Sequence, residues 1–196
     1  MITIAWDVDD VLNDLMRCWL ESGWKAEHPE CKIAFEQVTE NTPERILNCT
    51  KEEYQASLDH FRLSPAYPDL KPDPQVLAWF NEYGAQARHI ALSAVPLNAA
   101  HVSAAWVMKH FGNWIRSFNF IPSTRRQAPA PGYDLTKADF LKRVGNVDVL
   151  VEDSQQNIAQ AHTIGVKGLL LKKPWNQSNL ALKEALTQLN RLIAEK

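Results

Sequence analysis

Five short apolar runs, at residues 2–6, 89–92, 118–121, 148–151 and 168–171, constrain the fold more than any other feature of this chain. Each run is continuous rather than alternating. A strand wetted on one face alternates apolar with polar residues, whereas a strand covered on both faces does not, and double cover is the habit of parallel sheets. The intervening segments carry helix signals. Asn98 is placed to cap a helix over 99–111, whose apolar stripe includes Val102, Ala105 and Trp106 and which Gly112 would stop. Thr136 and Asp139 form a capping box ahead of Phe140, Leu141 and Val144, with Gly145 as the stop. Ser154 can cap a helix running to Gly165, and an amphipathic segment over 179–194 ends the chain. Strands alternating with helices imply right-handed crossovers, hence an α/β, Rossmann-like, doubly wound parallel sheet.

One connection breaks the rhythm. About eighty residues separate position 6 from position 89, far more than one crossover needs. The stretch has helical pieces at 15–27 and 43–47, and a third opens at the Thr50 to Glu53 capping box. It returns through a proline-rich run at 65–74, where Asp73 and Pro74 suit the start of a helix ending near Gly84. The expected organisation is therefore a core formed by residues 1–13 and 71–196 and a small helical cap, 14–70, inserted after the first strand. Residues 125–133, Arg-Arg-Gln-Ala-Pro-Ala-Pro-Gly-Tyr, read as a mobile loop.

Composition narrows the function classes. A net charge of -2 over 196 residues gives no electrostatic reason to bind a nucleic-acid polymer or a membrane surface. The three cysteines, Cys18, Cys31 and Cys49, form no C-x-x-C pair, so neither a disulfide framework nor a zinc site is expected and a reducing cytoplasm fits. No apolar run reaches membrane-spanning length, and the first residues lack a basic leader. A soluble cytoplasmic enzyme is the expectation.

In an open α/β sheet, ligands gather beyond the carboxyl ends of the strands. Asp7 and Asp9 follow the first run, Ser93 and Ala94 the second, and Glu152 and Asp153 the fourth. Lys137 opens the helix before the fourth. Any one of these has an ordinary reading: an acidic turn, a capping serine, acids at a helix start, a surface lysine. Four separate elements placing such groups along one edge is another matter. Carboxylates with a hydroxyl and an ammonium suit a hard divalent cation, Mg²⁺, and a phosphoryl group. With charge neutralised there, the Asp7 carboxylate can attack phosphorus and form an aspartyl-phosphate, while Asp9 protonates the leaving oxygen and later activates water. Asp153 would anchor the metal together with Asp7, Asp9 and Glu152, and Ser93, Ala94 and Lys137 would hold the phosphoryl.

These residues, in this order, resemble the motifs of the haloacid dehalogenase-like superfamily. Asp7-Val8-Asp9-Asp10-Val11 looks like its D-x-D-x-[TV] segment, His89-Ile90-Ala91-Leu92-Ser93 like its second motif, and Val149-Leu150-Val151-Glu152-Asp153 like its paired-acid fourth. The resemblance spans residues 2–171 and implies a Rossmann-like core with a cap after the first motif. The dehalogenases lack the second Asp of D-x-D, so Asp9 favours phosphate chemistry. Asp10 stands where Gly is common, and Glu152 where a first Asp is more frequent. Arg125, Arg126 and Lys142 compete with Lys137 for the phosphate-facing role.

A narrower similarity is to the 5'(3')-deoxyribonucleotidase-like branch, through Ser93-Ala94-Val95-Pro96, the Trp106 to Gly112 segment and Lys173-Pro174-Trp175-Asn176. It implies a nucleotide or deoxynucleotide monophosphate as substrate; Arg125, a rival of Lys137 for the phosphate, and Trp175, at the active-site edge, are candidate substrate-binding residues. A sugar phosphate or other small phosphometabolite is the alternative within the enzymes, and a fold-retaining binding protein without turnover the alternative outside them. Trp19, Trp24 and Trp79 read as packing residues.

Overall fold

The computed structural model describes residues 1–123 and 134–195. Five parallel strands form one sheet: β1 (Thr3–Trp6), β2 (Arg88–Val95), β3 (Ile115–Pro122), β4 (Val149–Glu152) and β5 (Lys167–Leu170), in the spatial order β3-β2-β1-β4-β5. All five expected runs lie within or overlap these strands. β2 and β3 run longer than their apolar stretches, so Ser93 and Ala94 lie inside β2 rather than after it. The expected 125–133 loop falls outside the described residues.

The double cover that the runs implied is visible residue by residue. Ile4 and Trp6 of β1 enter one core with Val149 and Val151, while Ala5 enters the other with Leu92 and Leu150. The α-helices of the described residues are numbered α1 to α9 in order. On the first face lie α5 (Pro74–Tyr83), α6 (Ala100–Phe111) and α9 (Leu182–Ala194), contributing Val76, Trp79, Phe80, Trp106, Phe111 and Leu189. On the second lie α7 (Lys137–Val144) and α8 (Gln155–Thr163), contributing Phe140, Leu141 and Ile158.

The caps follow local chemistry. The Thr50 and Thr136 boxes both close, Asp73 accepts from the Gln75 and Val76 N–H groups, and Ser154 accepts from Asn157. Asn98 does not cap α6. It lies in a short 3-10 turn, Leu97–Ala99, and Ala99 takes the cap position. Gly145 and Gly165 stop their helices at φ +65° and +79°, where a side chain would be strained.

Between β1 and β2 the chain forms α1 (Leu15–Cys18), a wide π turn (Trp19–Trp24), α2 (Lys25–Glu27), α3 (Glu44–Leu47) and α4 (Lys51–Leu63). Trp19 and Trp24 pack together there, and Trp79 packs on Trp6, as their helical settings suggested. No helix among the described residues is long and apolar enough to cross a membrane.

The centre of the first core holds a neutral histidine. The Trp6 indole N–H donates to His89 Nδ1 at 3.1 Å, so Nδ1 must be the acceptor, and Nε2 carries the proton it shares with the Gly84 carbonyl at 2.8 Å. Burial pushes the His89 pKa down to about 4. The folded state therefore binds a proton less readily than the unfolded one. The stability this contributes is complete above pH 6.5 and drains as the pH falls towards 4. His89→Leu leaves the Trp6 N–H without a partner, and the expected cost is about 1–3 kcal/mol at pH 7. The variant's loss should shrink on acidification in urea titrations; an unchanged gap between pH 7 and pH 4.5 would contradict this account.

Candidate active site

The strand register brings the site together. Trp6 pairs with Ala91 of β2 and Val151 of β4, so the residue after it emerges between those two neighbours at the carboxyl edge. The chain leaves the sheet in opposite directions on the two sides of β1, which is the switch point where such sheets open a crevice. The Asp7 N–H still bonds the Val151 carbonyl at 2.9 Å, so Asp7 begins the loop with its backbone tied to β4.

Asp10 then turns the loop at φ +63°, a left-handed conformation that Asp tolerates and for which Gly would be the cheaper residue. The turn is held from inside. Asn13 Oδ1 accepts from the Asp10 and Leu15 N–H groups, at 3.2 and 3.1 Å, and Asp10 Oδ1 accepts from the Met16 N–H at 3.0 Å.

Four charged side chains meet in the crevice. Lys137, in the first turn of α7 and 2% exposed, places Nζ 2.7 Å from Asp7 Oδ1 and 2.7 Å from Glu152 Oε2. Carboxylate oxygens of Asp7, Glu152 and Asp153 lie within 4.8 Å of one another, and all three residues are buried. Glu152 Oε1 also accepts the Asp153 and Ser154 N–H groups, at 3.3 and 3.2 Å.

Crowding and burial push these acids toward their neutral forms. Burial, then the Glu152 charge, holds the Asp7 pKa well above the carboxylate range, against the pull of Lys137. Burial also raises Glu152, with Lys137 opposing. Asp153 is raised to about 7 by burial and by the charges of Asp7 and Asp10. Burial disfavours the Lys137 ammonium, yet Asp7 and Glu152 outweigh it and keep the group protonated beyond its ordinary range. Three buried carboxylates against one ammonium leave an excess of negative charge. That donor set, all oxygen and closely spaced, fits a hard divalent cation.

The Asp9 carboxylate is arranged differently from the expected metal set. Arg62, from the end of α4, donates to its Oδ2 at 3.0 Å, while the Tyr67 hydroxyl at 2.9 Å and the Asn13 amide at 3.3 Å donate to Oδ1. Its side chain thus stands beside the acidic trio, held by Arg62 and Tyr67 from the 14–70 stretch and by Asn13 from its own loop. Tyr67 is in turn 3.0 Å from Ser103 of α6. Asn13, Arg62 and Tyr67 belong to none of the motifs the sequence displays.

Asp7, Asp9, Ser93, Ala94, Lys137, Glu152 and Asp153 all line one cavity of about 200 Å³, bordered on the side of the 14–70 stretch by Met16, Tyr54, Leu58 and Arg62. Of the cations competing with Lys137, Lys142 is exposed, and Arg125 and Arg126 lie outside the described residues. Trp175 is not among the residues lining this cavity. Its indole N–H donates to Asp153 Oδ2 at 2.8 Å.

No protein-family model and no curated protein matches the chain. Solved structures do match over nearly its whole length. A haloacid dehalogenase-like hydrolase from Streptococcus pneumoniae aligns with 100% of this chain and 99% of its own, at TM-score 0.62 and 10% identity. A predicted phosphatase from Clostridium acetobutylicum aligns over 100% and 99%, at TM-score 0.59 and 12% identity. A Lactobacillus delbrueckii subsp. bulgaricus protein, provisionally described as a phosphoglycolate phosphatase, aligns over 97% of both chains at TM-score 0.59 and 14% identity. The fold is that of the haloacid dehalogenase-like hydrolases, an α/β Rossmann-like architecture with helices inserted after the first strand.

Asp10 supplies a test of the electrostatics. Burial raises its pKa from 3.8 to about 7, with Lys173 opposing. It therefore binds its proton more tightly folded than unfolded, and the stability so gained is complete below pH 3.8 and lost as the pH rises through about 7. Asp10→Asn keeps an acceptor for the Met16 N–H and tolerates the positive φ. In metal-free buffer at pH 8 it removes a buried charge and should raise stability by up to about 4 kcal/mol, while at pH 4 it should change little. A thermal melt that fell equally at both pH values would contradict this.

Proposed function

We propose that the chain is a Mg²⁺-dependent phosphomonoester hydrolase acting on a small phosphorylated metabolite. The observation that carries the proposal is the buried meeting of Asp7, Lys137, Glu152 and Asp153 at the sheet's switch point, with Asp9 held beside them. Asp7, Glu152 and Asp153 would hold the metal, which when bound supplies positive charge to the phosphoryl oxygens.

Asp7, its carboxylate held by Lys137, attacks phosphorus and forms an aspartyl-phosphate as the bond to the leaving oxygen breaks. Asp9, which must carry a proton at this stage, gives it to that oxygen. In the second half Asp9 takes a proton from water, the resulting hydroxide attacks phosphorus, and the Asp7 carboxylate and inorganic phosphate are released. Ser93 and the backbone around Ala94 line the place where the transferring oxygens would sit. Arg62, Tyr67 and Asn13 fix the Asp9 carboxylate, which removes its rotational freedom before the proton moves. The helices of 14–70 serve as the cap that excludes water from these steps.

On substrate size the cavity favours the smaller of the two classes. Its volume of about 200 Å³ lies below the roughly 300–1,000 Å³ of pockets that enclose drug-sized ligands. The cavity opens to solvent and does not bound what extends beyond it, but its enclosed part suits a sugar phosphate or another short phosphoester. The phosphoglycolate phosphatase description given to the Lactobacillus delbrueckii protein points the same way.

A phosphate-release screen with Mg²⁺ tests both parts. Short aliphatic and sugar phosphates should exceed nucleoside monophosphates in kcat/KM by about tenfold or more, within the discrimination a pocket of fixed size supplies. Equal or better turnover of nucleotides would overturn the substrate reading, and no metal-dependent turnover of any phosphoester would overturn the activity. On the best substrate, Asp9→Asn should lower kcat by about 10²–10⁴ with little change in KM. Lys137→Ala should lose about 10²–10³, and near-normal rates in that variant would pass its role to Lys142, Arg125 or Arg126.

A further inference from the structure

The turn after β5 is built around two side chains that both reach back to Asp153. Asn176 sits at its centre. Its Oδ1 accepts the Lys173 and Ser178 N–H groups, at 3.3 and 3.0 Å, and its Nδ2 donates to the Leu171 and Asp153 carbonyls, each at 2.8 Å. The residue before it, Trp175, donates its indole N–H to Asp153 Oδ2 at 2.8 Å. Asp153 is thus gripped at the main chain by one residue and at the carboxylate by the next.

The indole is itself held from the other side. Phe35 stands edge-on to it, with ring centres 5.8 Å apart, and the Arg17 guanidinium lies 4.0 Å above the Phe35 ring. This braces Trp175 from residues of the inserted stretch while its N–H points into the acidic trio.

A carboxylate that shares a crowded, negatively charged space with Asp7 and Glu152 would otherwise rotate away from its neighbours. A neutral donor fixed at one oxygen restrains it and adds no second cation to compete with a metal. Groups that orient ligands in this way typically govern metal affinity about tenfold to a hundredfold. We infer that Trp175 is a positioning residue for the metal site, orienting Asp153 through its indole N–H, and that Asn176 fixes the backbone from which Asp153 projects. The inference rests on the reading of Asp153 as a metal ligand.

Mn²⁺ titrated into the metal-free full-length protein, followed by the loss of the free-ion electron paramagnetic resonance signal, tests it without recourse to turnover. Trp175→Phe keeps an aromatic ring against Phe35 and deletes the N–H; it should weaken Mn²⁺ binding about 10- to 100-fold while the metal-free melting temperature stays near wild type. Phe35→Leu loosens the packing and keeps the N–H; it should bind Mn²⁺ within about threefold of wild type, well short of the loss from a missing orienting group. Wild-type affinity in Trp175→Phe overturns the inference and leaves the proposed activity standing. So does an equal loss in Phe35→Leu, which would assign the effect to packing. A wild-type protein that binds no Mn²⁺ overturns both readings at once. Should Trp175→Phe not melt cooperatively, the assigned Trp175 indole N–H resonance of the wild type must shift on addition of Mg²⁺, and a resonance that does not move overturns the inference.

Discussion

Three carboxylates, Asp7, Glu152 and Asp153, meet in a crevice from which water is largely excluded, and one ammonium, that of Lys137, stands 2.7 Å from two of them. Burying a charge without a partner is expensive, and removing one member of such a pair commonly costs about 3–5 kcal/mol. Much else in the architecture serves to bring these groups together. The parallel register delivers Asp7 and Glu152 side by side, and the Thr136 capping box starts α7 at the residue that carries the ammonium. Burial first, and then the neighbouring carboxylates, hold Asp7 and Asp153 above the usual range, and burial holds Glu152 there; that crowding of oxygen donors is the reason to expect a divalent cation.

The helices between β1 and β2 complete the site rather than merely cover it. Arg62 and Tyr67 hold the Asp9 carboxylate, and Phe35 braces the indole that holds Asp153. The two carboxylates flanking Asp7 in function are therefore each anchored through residues that β1 and its neighbours do not supply. Any movement of the stretch would be felt at both carboxylates.

The sheet is legible in the sequence because burial on both faces leaves a continuous apolar run, and the ends of those runs point directly to Asp7, Ser93, Glu152 and Asp153. Lys137 is legible only as one cation among four, since its approach to Asp7 depends on tertiary placement of α7. Asn13, Arg62 and Tyr67 leave no local signal. A polar residue on a short loop or at a helix end looks solvated until the packing shows what it faces. Trp175 is harder to read for a related reason: its ring suggests stacking on a ligand, while the hydrogen bond from its polar edge to Asp153 shows only once the fold is assembled. Asn98 resembles a cap, but a 3-10 turn intervenes.

If the site works as proposed, Asp7 itself becomes phosphorylated. Rapid acid quenching during turnover of p-nitrophenyl phosphate with Mg²⁺, followed by peptide mass mapping, tests this directly. Phosphate is expected on the peptide that carries Asp7, lost on treatment with hydroxylamine and absent from Asp7→Asn. Steady turnover with phosphate on a different residue, or undiminished turnover in Asp7→Asn, would contradict it.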